Sequence, residues 1–290
     1  MNFNEKLRAI QRKNNSLLCI GLDTDIFQIP EFLFAYADPI FEFNRRIIDA
    51  TKDIVCAYKI NLAFYEVVGE HGWYTVHQTL ARIPENIITI GDGKRGDIGN
   101  SAERYAKLIL EDYEFDGATV NPYMGEDSVK PFLKRKEQCA FILTATSNKG
   151  AKDFEFLKVN GKPLYEKVVQ KIHQWNTKKN CGVVAGTTYP KVLKRLRELA
   201  PKLPFLLPGI GAQRGDLESA VRYGCDAHGE LAIISSSRSI LYASYRRVPT
   251  GLSTRRVVDE SSTGEDFSDA ARSAALKLRD TINRYREKYF

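Results

Sequence analysis

Short apolar runs recur from one end of the chain to the other, and their number is the feature that most constrains the fold. Nearly continuous apolar runs are typical of parallel strands that are covered on both faces. Eight such runs lie at 16–21, 54–60, 87–91, 117–121, 140–146, 182–186, 205–209 and 232–236. Amphipathic segments that indicate helices lie between them, at 101–114, 164–178, 190–199 and 216–223. Eight strands alternating with helices predict an α/β protein, a (β/α)8 TIM barrel.

The length of the chain fits one barrel with two additions. A TIM barrel typically needs about 250 residues, so the 290 residues predict a single domain spanning 1–290. The stretch 245–266 is rich in Pro, Gly, Ser and charged residues, and we expect a flexible loop insertion there. Apolar residues at three- or four-residue spacing predict a C-terminal helix over 267–288, which closes the outer ring, and a short leading helix over 3–10, which covers the barrel bottom.

Composition restricts the compartment and the kinds of site. Five cysteines occur without a CxxC pair, which favours the reducing cytoplasm over a disulfide-forming compartment. No run approaches the roughly 18 apolar residues of a membrane span, and the N-terminus lacks a signal-peptide pattern, so we expect neither membrane insertion nor secretion. The four histidines form no HxH or HxxxH pattern, and no histidine metal site is predicted.

The net charge of +7 is compatible with nucleic acid, a membrane surface or a small acidic substrate as partner. Basic residues are spread along the chain, and the densest clusters (134–136, 246–247 and 255–256) adjoin turn or loop residues, as solvated surfaces do. A basic RNA-binding module is the alternative from a different class of protein. Its stacking platforms would come from the 14 tyrosines and 15 phenylalanines, but most of these have the spacing of core residues.

Charged residues follow the third strand, at the end of the barrel where TIM-barrel enzymes place catalytic groups. The segment DGKRGD spans 92–97. Residues two apart on a strand share a side, so we expect Asp92 and Lys94 to point into the barrel mouth together, with Asp97 just beyond. Lys59, at the end of the second strand, adds a second cation. Opposite charges keep Lys94 protonated, as a proton donor requires; a structural ion-pair network at the rim is the alternative.

A second group of residues follows the seventh and eighth strands. The segment PGIGAQ spans 208–213, and SSSR spans 235–238. TIM barrels frequently bind phosphate between these two loops. Glycines let backbone N–H groups approach an anion, and Arg238 can clamp two of its oxygens. The pattern therefore predicts a phosphorylated substrate.

Seven segments, in order along the chain, agree with one family of enzymes. They are CIGLDTD (19–25), YKINLAFYE (58–66), DGKRGDIGNSAERYA (92–106), VNPYMGEDSVKPF (120–132), TSNKGAKDF (146–154), PGIGAQRGD (208–216) and SSSRSILYAS (235–244). Together they resemble the orotidine 5′-phosphate decarboxylases, particularly the bacterial-type subgroup with longer chains, and the third is similar to the family's active-site signature. The resemblance implies a lyase, a carboxy-lyase that converts orotidine 5′-phosphate to UMP and CO2 in de novo pyrimidine biosynthesis.

The resemblance also implies roles for individual residues. Asp92, Lys94 and Asp97 match the family's Asp-Lys-Asp triad, and Lys59 matches the lysine that completes its charged tetrad. Asp23 joins Lys59 as a ribose contact, Ser147 matches the serine at the pyrimidine edge, and Gln213 and Arg238 match the phosphate-side contacts. The substrate-binding residues predicted in this way are Asp23, Ile98, Ser101, Ser147, Pro208, Gln213 and Arg238.

Two of these positions imply a homodimer with shared active sites. In the family, Asp97 and the residues after it reach into the site of the neighbouring subunit, where Ile98 lines the pocket and position 101 touches ribose. The family usually has Thr at that position. Ser101 keeps the hydroxyl and lacks the methyl group, so the contact is expected to persist.

The decarboxylation that the resemblance implies needs the kind of charged group that Lys94 supplies. Loss of CO2 from the pyrimidine leaves a carbanion with no obvious electron sink, and the sequence contains no cofactor or metal motif, so we expect a cofactor-free reaction driven by electrostatics. An ammonium held at the carbanion interacts more strongly with the transition state than with the ground state, which accelerates the reaction. Lys94 would then donate the final proton. The nearest alternative is a Mg²⁺-dependent sugar-phosphate decarboxylase or hexulose-phosphate synthase, which shares the Asp-x-Lys-x-x-Asp spacing.

Overall fold

Eight parallel strands close into a barrel in the computed structural model, which describes residues 1–210, 216–250, 253–258 and 266–290. The barrel strands are β1 (Leu18–Gly21), β2 (Ala57–Asn61), β3 (Ile88–Arg95), β4 (Gly117–Val120), β5 (Cys139–Ala145), β8 (Cys181–Ala185), β9 (Phe205–Leu207) and β10 (Ala232–Ser236). β10 pairs with β1 and closes the barrel. The eight predicted strands and the TIM-barrel class are confirmed.

Helices surround the barrel and fill the connections between its strands. They are α1 (Phe3–Lys13), α2 (Pro39–Thr51), α3 (Ala63–Glu66), α4 (Glu70–Arg82), α5 (Gly99–Ala106), α6 (Glu126–Val129), α7 (Ala151–Phe154), α8 (Leu164–Trp175), α9 (Pro190–Leu199), α10 (Leu217–Gly224), α11 (Arg238–Leu241) and α12 (Phe267–Tyr289). Short 3-10 helices lie at Ile26–Gln28, Glu31–Ala35 and Lys130–Leu133. Among the described helices, none is long and apolar enough to cross a membrane.

The predicted helix over 101–114 differs from the observed one in its geometry. α5 continues into a π-helical segment, Lys107–Asp112. The wider turn buries Ile109 and Leu110 side by side, and Ile109 packs over Gly91 of β3. A Cβ at Gly91 would lie 2.9 Å from the Ile109 side chain, so this helix depends on a small residue in the strand beneath it.

The leading helix α1 covers the bottom of the barrel, as predicted. Asn2 caps it through a capping box with Glu5, which satisfies N–H groups that a helix start leaves free. Phe3 meets Phe141 of β5 edge to face, with 5.6 Å between ring centroids. Gln11 is fully buried and donates to the carbonyl of Ala232, at the start of β10. α1 therefore closes the end of the barrel opposite the mouth.

The stretch 245–266, expected to be a flexible loop, contains a hairpin in its described part. β11 (Tyr245–Thr250) pairs antiparallel with β12 (Ser253–Val258). A second short hairpin pairs β6 (Lys158–Val159) with β7 (Lys162–Pro163). Valines and threonines in this stretch favour strands and outweigh its proline and charged residues. α12 follows and confirms the predicted C-terminal helix; Phe267 at its start stacks on Phe43 of α2, with centroids 4.8 Å apart.

Candidate active site

Four charged side chains of alternating sign form a chain at the carboxyl ends of the first three barrel strands, and we call it the charge array. Lys59 on β2 lies 3.1 Å from Asp23, which follows β1, and 3.1 Å from Asp92 on β3. Lys94 reaches the other oxygen of Asp92 through its Nζ at 2.6 Å. In the order Asp23–Lys59–Asp92–Lys94, each of the two inner groups, Lys59 and Asp92, lies between two groups of opposite charge.

Burial and pairing act in opposite directions on the two inner groups of the charge array. Burial by itself would lower the pKa of the Lys59 ammonium, but the adjacent Asp23 and Asp92 carboxylates outweigh it, and the pKa lies above its ordinary value. Burial would raise the pKa of Asp92, yet Lys59 and Lys94 hold it well below its ordinary value. Both groups therefore remain ionised, and their positions are held by charge-assisted hydrogen bonds.

Lys94 reaches Asp92 as predicted, although strand alternation is not the reason. The pairing of β3 with β4 shifts register between Gly91 and Arg95, and Lys94 has a φ of 46°. A side chain in this left-handed region carries a backbone strain of about 1–3 kcal/mol. The Lys94 N–H donates to Thr119 Oγ1 at 2.9 Å, and the Thr119 hydroxyl donates to Asp92 Oδ1 at 2.8 Å. Thr119 thus ties the strained backbone to the carboxylate that holds the lysine.

Asp97, Ile98 and Ser101 lie outside the charge array of their own chain. The Asp97 carboxylate accepts a hydrogen bond from the Ile98 N–H at 2.8 Å, and it pairs with no cation among the residues that the structure describes. Ile98 is 55% exposed. Ser101 is exposed on the first turns of α5. None of the three is bonded to Lys94 of its own chain among the described residues, and their predicted place is the site of the neighbouring subunit.

A cavity of about 370 Å³ opens in the barrel mouth over the charge array. It brings together seven predicted residues: Asp23, Lys59, Asp92, Lys94, Ser147, Pro208 and Arg238. Gln213 lies outside the described residues. Six further polar residues, which were not predicted, also line the cavity: Asn61, Thr119, Thr146, Asn148, Ser235 and Ser237. Its apolar wall consists of Leu143, Val184, Leu206 and Ile210. The volume lies within the usual range for small-molecule sites.

The cavity wall at the ends of β1, β9 and β10 is built from small residues that pack closely. Ser237 precedes α11, and its hydroxyl occupies the place of a side chain at Gly21, where a Cβ would lie 2.1 Å from Ser237 Oγ. Gly209 has a φ of 95°, which glycine adopts without strain. Arg238 is exposed beside them and lines the same cavity. Hydroxyl, open backbone and guanidinium together can accept a phosphate group.

On the opposite wall of the cavity, the backbone at Ser147 approaches Gly186 closely. Ser147 follows β5, and a Cβ at Gly186, after β8, would lie 2.7 Å from the Ser147 nitrogen. Glu155 accepts a hydrogen bond from the Thr146 N–H at 2.7 Å and so anchors the start of this loop. Ser147 and Asn148 therefore present polar groups to the cavity at a distance from the Gly21 wall.

The sequence carried a weak signal for the residues that were missed. Thr119 is the polar residue near the end of the apolar run GATVN, where a side chain of β4 meets the barrel mouth. Ser235 and Ser237 lie in the segment that was read for Arg238 alone. The sequence thus shows that polar side chains lie at these strand ends. It does not show their partners, because those lie on other strands.

Fold and site define an enzyme of the TIM-barrel class, whose cavity lies between a charged wall and a wall that can accept phosphate and has room for a small ligand. The family model described as Orotidine 5′-phosphate decarboxylase / HUMPS family matches residues 16–248, and the chain belongs to this family.

Comparisons with individual proteins agree over the whole length. An orotidine 5′-phosphate decarboxylase from Dehalococcoides mccartyi is 45% identical over 293 residues, which cover 100% of both chains. One from Ralstonia nicotianae is 42% identical over 290 residues, with 99% of this chain and 100% of the relative covered. The structure of Leishmania donovani OMP decarboxylase superposes with a TM-score of 0.81 at 32% identity and covers 99% of each chain. The chain is thus a carboxy-lyase of pyrimidine biosynthesis that decarboxylates orotidine 5′-phosphate to UMP.

Proposed function

We propose that the charge array performs this decarboxylation without a cofactor and that Lys94 is the proton donor. The observation that carries the proposal is the Lys94 ammonium, fixed 2.6 Å from Asp92 at the rim of the cavity. When the bond to CO2 breaks, its electron pair stays on the ring carbon. The fixed ammonium stabilises this negative charge as it develops, because it needs no reorganisation at that moment. Its proton then passes to the carbon and completes UMP.

The same proposal orients the substrate across the cavity. Arg238 and Ser237 bind the phosphate, and Pro208 lines the same cavity. Gln213, outside the described residues, is the further phosphate contact that the family resemblance implies. Asp23 and Lys59 bind the ribose hydroxyls, and Ser147 binds the pyrimidine edge. This order follows the cavity from the Gly21 wall to the Ser147 loop and leaves the reacting carbon over Lys94. The Asp92 carboxylate holds Lys94 and repels the carboxylate that leaves.

Cofactor independence has a direct test. Orotidine 5′-phosphate is mixed with protein that has been exhaustively treated with EDTA and a second chelator, and the loss of substrate absorbance is followed together with CO2 release. We expect turnover equal to that of untreated protein. Loss of turnover that Mg²⁺ restores would overturn the cofactor-free proposal and favour a metal-assisted mechanism.

We further propose a homodimer with shared active sites, in which Asp97, Ile98 and Ser101 complete the site of the partner. Two features support it: Asp97 lies outside the charge array of its own chain, and exposed apolar side chains surround the loops after β3 and β4. Ile98 is 55% exposed, Tyr123 79% and Met124 45%. A two-fold interface is self-complementary, so one patch of this kind serves both subunits.

Hybrid dimers test the shared site. Lys94→Ala and Asp97→Ala should each be nearly inactive. After equal mixing with exchange of chains, half of the dimers are hybrids, and each hybrid has one site with both defects and one with none. Activity should therefore rise to about a quarter of wild type. If chains exchange and no activity returns, Lys94 and Asp97 serve the same site from one chain.

We also propose that the protein acts in the cytoplasm. All five cysteines are free and buried, and burial raises the pKa of Cys19 to about 12. Such thiols are unreactive, and a protein that leaves every cysteine unpaired is suited to a reducing compartment.

A further inference from the structure

A buried hydrogen-bond network lies directly behind the ribose end of the proposed site, outside the cavity. Its centre is Asn44 on α2, which is fully buried. Asn44 Oδ1 accepts from the Thr24 hydroxyl at 2.6 Å, and its Nδ2 donates to the Tyr65 hydroxyl at 2.9 Å and to Thr79 Oγ1 at 3.1 Å. The Tyr65 hydroxyl donates in turn to the carbonyl of Leu22 at 2.9 Å. Every atom of the Asn44 amide therefore has a partner.

The network holds both neighbours of Asp23. Leu22 precedes it and is held through its carbonyl, and Thr24 follows it and is held through its side chain. Tyr65 lies on α3, six residues beyond Lys59 of β2, so the same hydroxyl links the loop after β1 to the segment after β2. The Leu22 N–H adds a bond to the Lys59 carbonyl at 2.8 Å. Asp23 and Lys59 thus share one buried support.

The chemistry of the network makes this support stiff. Thr24, Asn44, Tyr65 and Thr79 are each at most 1% exposed, and burial raises the pKa of the Tyr65 phenol, so its hydroxyl stays protonated and donates. Buried hydrogen bonds of this kind cannot be replaced by water. A loop fixed on both sides of one carboxylate holds that carboxylate within a narrow range of positions, which a pair of charged groups contacting a substrate requires.

We propose that Tyr65 and Asn44 are positioning residues for decarboxylation, which act by fixing Asp23, and through it Lys59, against the ribose of the substrate. The inference rests on the proposed ribose contacts of Asp23 and Lys59. Neither Tyr65 nor Asn44 lines the cavity, so their effect on the reaction passes through Asp23. Substitution should alter the binding of ribose hydroxyls more than the binding of phosphate.

The chain offers a matched control in Tyr58 of β2. Its hydroxyl is also fully buried, bonds Thr51 Oγ1 at 2.7 Å and donates to the carbonyl of Ile48, both on α2. Tyr58→Phe and Tyr65→Phe therefore each delete a buried hydroxyl that bonds a residue of α2. Only Tyr65 contacts the backbone beside Asp23.

The experiment compares four variants with wild type. Three are the single variants Tyr65→Phe, Tyr58→Phe and Asp23→Ala, and the fourth is the double variant that combines Asp23→Ala with Tyr65→Phe. Steady-state decarboxylation gives kcat and KM, calorimetry gives the affinity for UMP and for 2′,3′-dideoxy-UMP, and thermal unfolding checks the fold. We expect Tyr65→Phe to lower kcat/KM by about 10- to 100-fold, the effect of a small displacement of a reacting or binding group. Tyr58→Phe should retain kcat/KM within about twofold.

Two further readouts separate positioning from a general loss of stability. Tyr65→Phe should weaken UMP binding and leave the affinity for 2′,3′-dideoxy-UMP unchanged. In the Asp23→Ala background it should cause no further loss, because contacting residues that act through one another are not additive. If Tyr65→Phe does not fold, Thr24→Val provides a second comparison, since it removes the hydroxyl that donates to Asn44 Oδ1 and keeps the Tyr65 hydroxyl in place.

Wild-type kcat/KM in Tyr65→Phe, or a loss that is fully additive with Asp23→Ala, would overturn the inference while leaving the ribose contacts intact. Wild-type kinetics in Asp23→Ala would instead refute the ribose contact itself, and the inference would fall with it. The kinetics of Asp23→Ala therefore distinguish the two failures.

Discussion

Thr119→Val is the substitution whose effect is most directly determined by the site geometry. Thr119 is 1% exposed, and valine has nearly the same shape, so the change removes a hydroxyl and leaves the packing in place. The lost bond to the ionised Asp92 is of a kind that contributes about 1.5–3 kcal/mol, and the Lys94 N–H loses its acceptor at a further cost of about 1–3 kcal/mol. Because the two bonds share one hydroxyl, we expect a total destabilisation of about 2–4 kcal/mol.

The catalytic effect follows from the backbone of Lys94. Its φ of 46° is held by the bond to Thr119, and without that bond the lysine can relax toward an ordinary conformation. We expect kcat to fall by about 10- to 100-fold, as for other displaced catalytic groups, with a smaller change in the affinity for UMP. Steady-state decarboxylation and guanidinium chloride unfolding measure the two effects.

Thr144→Val is the matched control for this prediction. Thr144 of β5 is 3% exposed, and its hydroxyl donates to the carbonyl of Ile142 at 3.0 Å. It is not among the residues that line the cavity. The control should change stability modestly and leave kcat unaltered. The reasoning is refuted if Thr119→Val keeps kcat within twofold of wild type and loses no more stability than Thr144→Val.

Three further predictions concern the phosphate side and the charge array. Arg238→Ala should lower kcat/KM for orotidine 5′-phosphate strongly and for orotidine hardly at all, because remote binding energy of the phosphate supports the reacting end; equal losses for the two substrates would exclude Arg238 as the phosphate contact. Gly21→Ala should raise KM, since its Cβ would lie 2.1 Å from Ser237 Oγ, and an unchanged KM would show that Ser237 is not needed. The pKa of Asp92 lies below its ordinary value, so its contribution to stability is present above about pH 4 and is lost as the pH falls toward the folded-state pKa. Urea unfolding between about pH 2 and pH 7 should therefore show a shallower acid loss for Asp92→Asn than for wild type, and identical slopes would contradict the pairing.

The sequence predicted those features that depend on local pattern. Each barrel strand is a separate apolar run, so the barrel could be counted before any contact was known. Lys59, Asp92 and Lys94 could be placed at the mouth because each follows its own strand. Such inferences need only the position of a residue within one element.

Features that depend on contacts between elements were not predicted. Thr119 contacts Lys94 only because β3 and β4 shift register between Gly91 and Arg95. The left-handed φ of Lys94 is set by that irregularity, and no single-strand pattern reveals it. Asn44 and Tyr65 are 21 residues apart in the sequence, and they meet only when α2 packs beside α3 and α4. The hairpin β11–β12 was not predicted, because its proline and charged residues are typical of a loop although its valines and threonines favour strands.

The central claim is that Lys94 donates the proton, and single-turnover decarboxylation by Lys94→Ala tests it most directly. The variant should lose at least about 10²- to 10⁴-fold in rate, the usual contribution of a general acid, while calorimetry still detects UMP binding and thermal unfolding shows an intact fold. Lys277→Ala, which removes an exposed lysine from α12, is the control and should match wild type. If Lys94→Ala bound UMP and retained a tenth of the wild-type rate, Lys94 would not be the proton donor.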